Sequence, residues 1–154
     1  MSTLQIVGKE YYLNNAFGDG FRFFIPGYQR PYAWTKEETE ELLDDLWTAY
    51  TSDKNEVPQK DPYFLGSIVL IKKEHQPEAQ VIDGQQRLST LAILLSVLRD
   101  LQPEGADAIS EYLGQKGKVF EGLKEEFRLT LRLQDAEFFA KHIQQEKGLS
   151  ALEK

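Results

Sequence analysis

The chain has 154 residues, which allows one compact domain, or one domain with an unfinished neighbour, and excludes two independent enzymatic domains. Hydrophobic residues make up 41% and aromatics 12%, enough apolar material to build a core and to argue against global disorder. Lys plus Arg number 18 against 25 Asp plus Glu, a formal charge of −7, which is the wrong sign for a nonspecific DNA coat or a membrane-surface domain.

From the N-terminus, Tyr11, Tyr12 and Leu13 lead to a turn at Gly18-Asp19-Gly20 and then to Phe21 to Ile25, whose aromatic and β-branched content predicts a strand closed by Pro26-Gly27. Thr35-Lys36-Glu37-Glu38 reads as a capping box, and Leu42, Leu43, Leu46, Trp47 and Tyr50 follow at helical spacing, so a helix is predicted over about 36 to 50. Its early carboxylates suit the positive end of a helix dipole. Residues 51 to 62, polar and holding Pro58 and Pro62, are predicted as a loop.

Tyr63 to Ile71 and Glu78 to Ile82 have strand composition and length, and the short polar segment between them predicts an antiparallel hairpin. Leu88, Leu91, Leu95 and Leu98 then mark one helix face, ended by Pro103. Residues 103 to 127 predict loops and one or two short helices. Leu129 to Leu133 alternates like a strand, and Asp135 is a candidate cap for a last helix through about 146. The division expected is a core over 1–102, with 103–154 as the remainder of the same domain and the start of a following helical region. Lys147 to Lys154 does not read as a completed tail, so the chain is expected to be an N-terminal fragment of a larger protein.

With no cysteine, the chain has no disulfides, thiolate zinc sites or cysteine nucleophiles, and fits a reducing compartment. Its apolar runs fall far short of the ~20 residues a membrane span needs, and its first residues do not resemble a signal sequence. A soluble cytoplasmic protein with no membrane partner is the expectation.

The sharpest chemical feature is Asp83-Gly84-Gln85-Gln86-Arg87-Leu88-Ser89-Thr90, placed where a predicted strand becomes a predicted helix. Unpaired amides at a helix start, with the dipole, suit phosphate. Gly84 allows close backbone approach, and Arg87 offers a planar fork of donors. Asp83 would repel a phosphate, so its available roles are metal ligation, water activation or ribose contact. The plainer reading stands beside this one: Asp83 caps the helix and Arg87 pairs with a surface acid.

A second constellation is Pro26-Gly27-Tyr28-Gln29-Arg30-Pro31-Tyr32-Ala33-Trp34. Residues 20 to 36 hold Arg22, Arg30 and Lys36 and no acid, and aromatics interleaved with Arg and Gln suit base stacking and contacts to phosphates. Tyr32 and Trp34 also read as hydrophobic pegs seating the loop before the capped helix. His75 and His142 lack ligand spacing. The chain has no Gly-x-x-x-x-Gly-Lys loop, no Gly-x-Ser-x-Gly elbow and no Glu-x-Lys nuclease half-motif, so it is not expected to cut DNA itself.

Taken together, Ile25 to Trp34, Tyr63 to Ile68 and Asp83 to Leu91 resemble, in this order and at every motif position, the N-terminal domain of the GmrSD-type modification-dependent restriction endonucleases. The resemblance extends from about residue 5 to 145. It implies an α+β fold similar to ParB and sulfiredoxin, a small mixed sheet flanked by helices, binding and hydrolysing a nucleoside triphosphate (GTP, ATP or UTP) with Mg²⁺. Carried onto this chain, it makes Asp83, Gln86 and Arg87 the catalytic candidates. Gly84, Gln85, Gln86, Arg87, Ser89 and Thr90 become the nucleotide contacts, and Asp83 the metal ligand. It further implies sensing of modified DNA, in one branch phosphorothioate-marked DNA, by Pro26, Gly27, Tyr28, Gln29, Arg30 and Tyr32. DNA cleavage would belong to a C-terminal HNH-type region not present in this chain. The alternative is a non-catalytic module that reads DNA or docks onto its partner domain.

Overall fold

The computed structural model describes residues 5–52, 62–117, 119–122 and 124–152, and its longest elements lie where the hydrophobic periodicity is strongest. In chain order these are α1 (Leu13–Ala16), β1 (Arg22–Phe24), α2 (Lys36–Ser52), β2 (Val69–Lys72), β3 (Glu78–Asp83) and α3 (Gln85–Leu101). Then come α4 (Ala106–Leu113), β4 (Gly114–Gln115), β5 (Glu126–Phe127), β6 (Leu129–Thr130) and α5 (Leu133–Phe139), which continues as a π-helical turn, Ala140–Gln144.

The main sheet runs β2-β3-β1-β6. β2 and β3 form the predicted antiparallel hairpin, while β1 lies parallel to both β3 and β6. The architecture is therefore α+β, a small mixed sheet with flanking helices. β4 and β5 make a separate two-stranded sheet that has no counterpart in the sequence reading.

Register explains the core. Phe23 is paired with Ala79 on one side and Leu129 on the other, and all three are at most 1% exposed. They lie in one cluster with Val81 and with Leu88, Leu91 and Ala92 of α3. Burying each large apolar side chain fully contributes roughly 1.5–3 kcal/mol. Leu113, Phe139 and Ile143 join the same cluster, so residues beyond 103 share this core.

Several expectations are corrected. The strand predicted over Tyr63 to Ile71 is present only at Val69–Lys72. Residues 63–68 are irregular, because Gly66 takes φ +116, a conformation that interrupts extended pairing and favours glycine. Phe21 to Ile25 contracts to Arg22–Phe24, and Leu129 to Leu133 to Leu129–Thr130, since Leu133 already opens α5. Arg132, not Asp135, occupies the cap position of α5; Asp135 lies in the first turn and its carboxylate pairs with Arg132. α2 runs on through Thr51 and Ser52, and most of the predicted 51–62 loop lies outside the described residues.

The buried stripe of α3 also departs from the leucine face. It runs through Leu88, Leu91, Ala92, Ser96 and Arg99, while Leu98 is exposed. The Arg99 side chain bonds Asp100 Oδ1 at 2.9 Å and donates to the carbonyls of Gln144 (2.6 Å) and Gln145 (3.0 Å). That clamp satisfies carbonyls where the π-helical turn ends.

Candidate functional site

β3 ends at Asp83 and α3 begins at Gln85, with Gly84 alone making the turn. Gly84 has φ +95, in the left-handed region that favours glycine. A Cβ there would stand 3.2 Å from Ile68 Cγ1 and 3.3 Å from the Ser67 carbonyl oxygen. The turn is closed by the Gly84 amide donating to Asp83 Oδ1 at 2.9 Å, so Asp83 braces the turn and Gly84 occupies the cap position. The second Asp83 oxygen belongs to an exposed residue. Ahead of the Leu88 amide, which reaches the Gly84 carbonyl at 3.1 Å, the first amides of α3 have no helical acceptor.

Arg87, in this first turn, is half-buried. Its Nε is buried without a hydrogen-bond partner, and among the described residues its guanidinium is in no ion pair. Gln85 Oε1 is likewise buried and unpartnered. An orphaned donor and an orphaned acceptor, both on the first turn of a helix, are unusual in a folded interior.

The aromatic loop is fastened to the same turn. Gln85 Nε2 donates to the Arg30 carbonyl at 3.2 Å and Gln86 Nε2 to the Pro31 carbonyl at 3.1 Å. Gln86 Oε1 accepts the Ala33 amide at 2.8 Å and the Trp34 amide at 3.3 Å. From the loop side, Gln29 Nε2 donates to the Ile82 carbonyl at 3.0 Å, and Tyr32 and Thr90 share a hydroxyl contact at 2.9 Å. Tyr28 is exposed, and its hydroxyl accepts from Gln80 Nε2 at 2.9 Å. Trp34 packs against the core as a peg.

The fold thus brings the two predicted constellations together. Asp83, Arg87, Gly27, Tyr28 and Arg30 present surface, and Pro26 is half-buried behind them. Gln29, Gln85 and Gln86 have amide groups engaged in joining loop to turn. Ser89 and Thr90 are buried, and each hydroxyl donates to a carbonyl one turn back, Gln85 and Gln86 respectively, at 2.8 Å. Much of the predicted basic charge is neutralised locally. Arg22 pairs with Glu126 at 2.8 Å and Lys36 with Glu40 at 3.3 Å, which leaves Arg30 as the loop's unpaired cation among the described residues.

Tyr63, Gly66 and Asp45 belong to the neighbourhood and were not singled out from sequence as site residues. A hydrogen bond to Asp45 holds the Tyr63 phenol above its ordinary range, opposed by the nearby positive charge of Arg87. Gly66 lies directly against the Arg87 guanidinium. The available sequence signal was a glycine inside a strand-like run, which marks close backbone approach.

A triphosphate fits part of this arrangement. The terminal nitrogens of Arg87 and the free amides of α3 are donors suited to phosphoryl oxygens, whereas Arg87 Nε and Gln85 Oε1 are buried. Magnesium ordinarily takes only one or two carboxylates beside phosphates and waters. Among the described residues no group of three or more acids or histidines converges. Asp83 would be the one carboxylate of the turn available to it. Two hollows lie away from the turn, one beside Arg22, Pro77 and Arg128 and one beside Arg99, Ser110 and Gln144. No described helix is long and apolar enough to cross a membrane.

Compared with known families, residues 13–154 match the model of the GmrSD restriction endonuclease, N-terminal domain. A search of curated proteins finds no match.

Proposed function

The chain belongs to the family of GmrSD restriction endonuclease N-terminal domains, and thus to a defence system acting on DNA; from that premise we propose that it binds and hydrolyses a nucleoside triphosphate at residues 83–87 and senses modified DNA through residues 26–32. The observation that carries this reading is the half-buried Arg87 guanidinium, in no ion pair among the described residues, in the same first turn as the free amides of α3. A planar cation at the positive end of a 17-residue helix is suited to phosphoryl oxygens.

In hydrolysis, water attacks the γ-phosphorus while the bridging bond to the β-phosphate breaks, releasing inorganic phosphate and a nucleoside diphosphate. Arg87 neutralises charge on the phosphoryl oxygens. Asp83 uses its outer oxygen to orient water or hold Mg²⁺, while its other oxygen fixes Gly84. Magnesium, when bound, supplies positive charge on the phosphates. Gln85 and Gln86 keep the DNA-facing loop attached to the turn. In that loop the exposed Tyr28 ring and Arg30 combine an apolar surface with a cation, which suits a weakly hydrated sulfur of a phosphorothioate.

The test is phosphate release from ATP, GTP and UTP with Mg²⁺ by the purified chain and by Arg87→Ala. Turnover reduced by about a hundredfold in the variant supports the reading, and equal background release from both, without nucleotide binding by calorimetry, overturns it.

A second reading, a non-catalytic module that reads DNA or docks onto the nuclease region of the full protein, is favoured by one observation. Gln29, Gln85 and Gln86 donate their amide N–H groups to backbone carbonyls, which leaves Asp83 as the exposed acceptor of the turn for water. DNA binding that needs no nucleotide and survives Asp83→Ala would select this reading.

A further inference from the structure

We propose that Gly66 is a positioning residue for Arg87: its missing side chain is the space in which the guanidinium lies, so the 63–68 segment sets where that cation points. The inference rests on the reading of Arg87 as the phosphate-binding group.

Three observations place the segment. A Cβ on Gly66 would stand 2.3 Å from Arg87 Nη1, 2.6 Å from Cζ and 3.2 Å from Nε, so the guanidinium occupies the position a side chain would take. The φ of +116 at Gly66 turns that bare face toward Arg87. One and two residues on, Ser67 and Ile68 close over Gly84, where a Cβ would meet both at 3.2–3.3 Å. Two glycines therefore let one backbone segment lie flat on the first turn of α3, one beneath the arginine and one at the cap.

This contact explains how a guanidinium can have a buried Nε and yet no hydrogen-bond partner. It is held by van der Waals contact with a peptide surface and, among the described residues, not by an acid. An arginine held by a carboxylate would be partly neutralised before a phosphate arrived. One held by a glycine face is oriented without a carboxylate bonded to it. The guanidinium is the far end of a flexible side chain, so an added methyl group displaces it, with the backbone strain of φ +116 beside that displacement. Other glycines do not share the arrangement: Gly122 has φ +69 and nothing within 4 Å of a built Cβ.

The experiment compares wild type, Arg87→Ala, Gly66→Ala, the double variant, and Gly122→Ala as a control for backbone strain alone. Binding of a non-hydrolysable ATP or GTP analogue with Mg²⁺ is measured by calorimetry, and the Arg87 Nε resonance by NMR. Expected are losses of about tenfold for Arg87→Ala and about fivefold for Gly66→Ala, with no further loss in the double variant. Gly122→Ala binds as wild type, and only Gly66→Ala shifts the Arg87 Nε resonance. Wild-type binding by Gly66→Ala, or additive losses in the double variant, overturns the proposal. If wild type itself binds no nucleotide, the functional reading of Arg87 fails, and the resonance separately decides whether Gly66 positions it. Should Gly66→Ala fail to fold, the unliganded wild type still decides: slow exchange of the Arg87 Nε–H supports the contact, and exchange as fast as an exposed arginine refutes it.

Discussion

The hydroxyls of Tyr32 and Thr90 meet at 2.9 Å across 58 positions of sequence, and the Thr90 hydroxyl donates its proton to the Gln86 carbonyl at 2.8 Å. A hydroxyl has one proton, so Thr90 accepts from Tyr32 and the phenol is the donor. The aromatic loop is therefore tied to the second turn of α3 in a fixed direction. Tyr32→Phe is expected to lower stability by about 0.5–1.5 kcal/mol in urea unfolding. Adding Thr90→Val to Tyr32→Phe should cost less than the two single effects summed, because the second change removes a group already left without its donor.

Gln86 carries more. Its carboxamide serves the Pro31 carbonyl and the Ala33 and Trp34 amides together. Gln86→Ala takes the partner from three backbone groups of the loop and should destabilise by roughly 1–3 kcal/mol. For a chain of this size that lowers Tm by about 2–4 °C per kcal/mol, measurable by calorimetry. Gln86→Glu should fall short of wild type as well, since a carboxylate has no N–H for Pro31.

Arg99→Leu leaves the carbonyls at 143–145 without their donor while keeping side-chain volume. A loss of about 2–4 kcal/mol is expected in denaturant unfolding. The residues of the 83–87 turn do not touch this clamp, so any ligand affinity of the folded fraction should be unchanged.

The capping box makes a pH prediction. The Thr35 hydroxyl holds the Glu38 carboxyl below its ordinary value of 4.5, and Glu38 also receives the Thr35 amide at 2.7 Å. A group whose folded pKa is depressed contributes stability that is present above the unfolded pKa and is lost as pH falls through the folded one. The contribution to α2 should therefore be full at neutral pH and vanish in acid. Comparing wild type with Glu38→Gln by urea unfolding at neutral pH and below the carboxylate range checks this. A difference that persists unchanged in acid contradicts it.

Much of the molecule was legible in local pattern. α2, α3 and the β2–β3 hairpin follow from caps and apolar periods, and the strand–turn–helix at 83–85 was read correctly because it joins two strong signals. The parallel pairing of β1 with β3 and β6 was not legible, since it joins segments more than 50 residues apart that carry no mark of each other. Gln29, Gln85 and Gln86 read equally well as ligands or as struts, and only the folded backbone decides what their amides meet. Gly66 was hidden among strand-forming neighbours, although a glycine in such a run is itself a signal. Arg99 was passed over inside a leucine-rich helix, where a charged residue reads as solvated.

The position of β1 governs the order in which the chain can be completed. During synthesis this strand emerges early, but one neighbour follows only at 78–80 and the other at 129–130. Until the ribosome has released that last pair, the aromatic segment has a bare edge capable of recruiting other nascent chains. Shortened versions ending ahead of Leu129 should therefore clump, and those that keep it should stay dispersed.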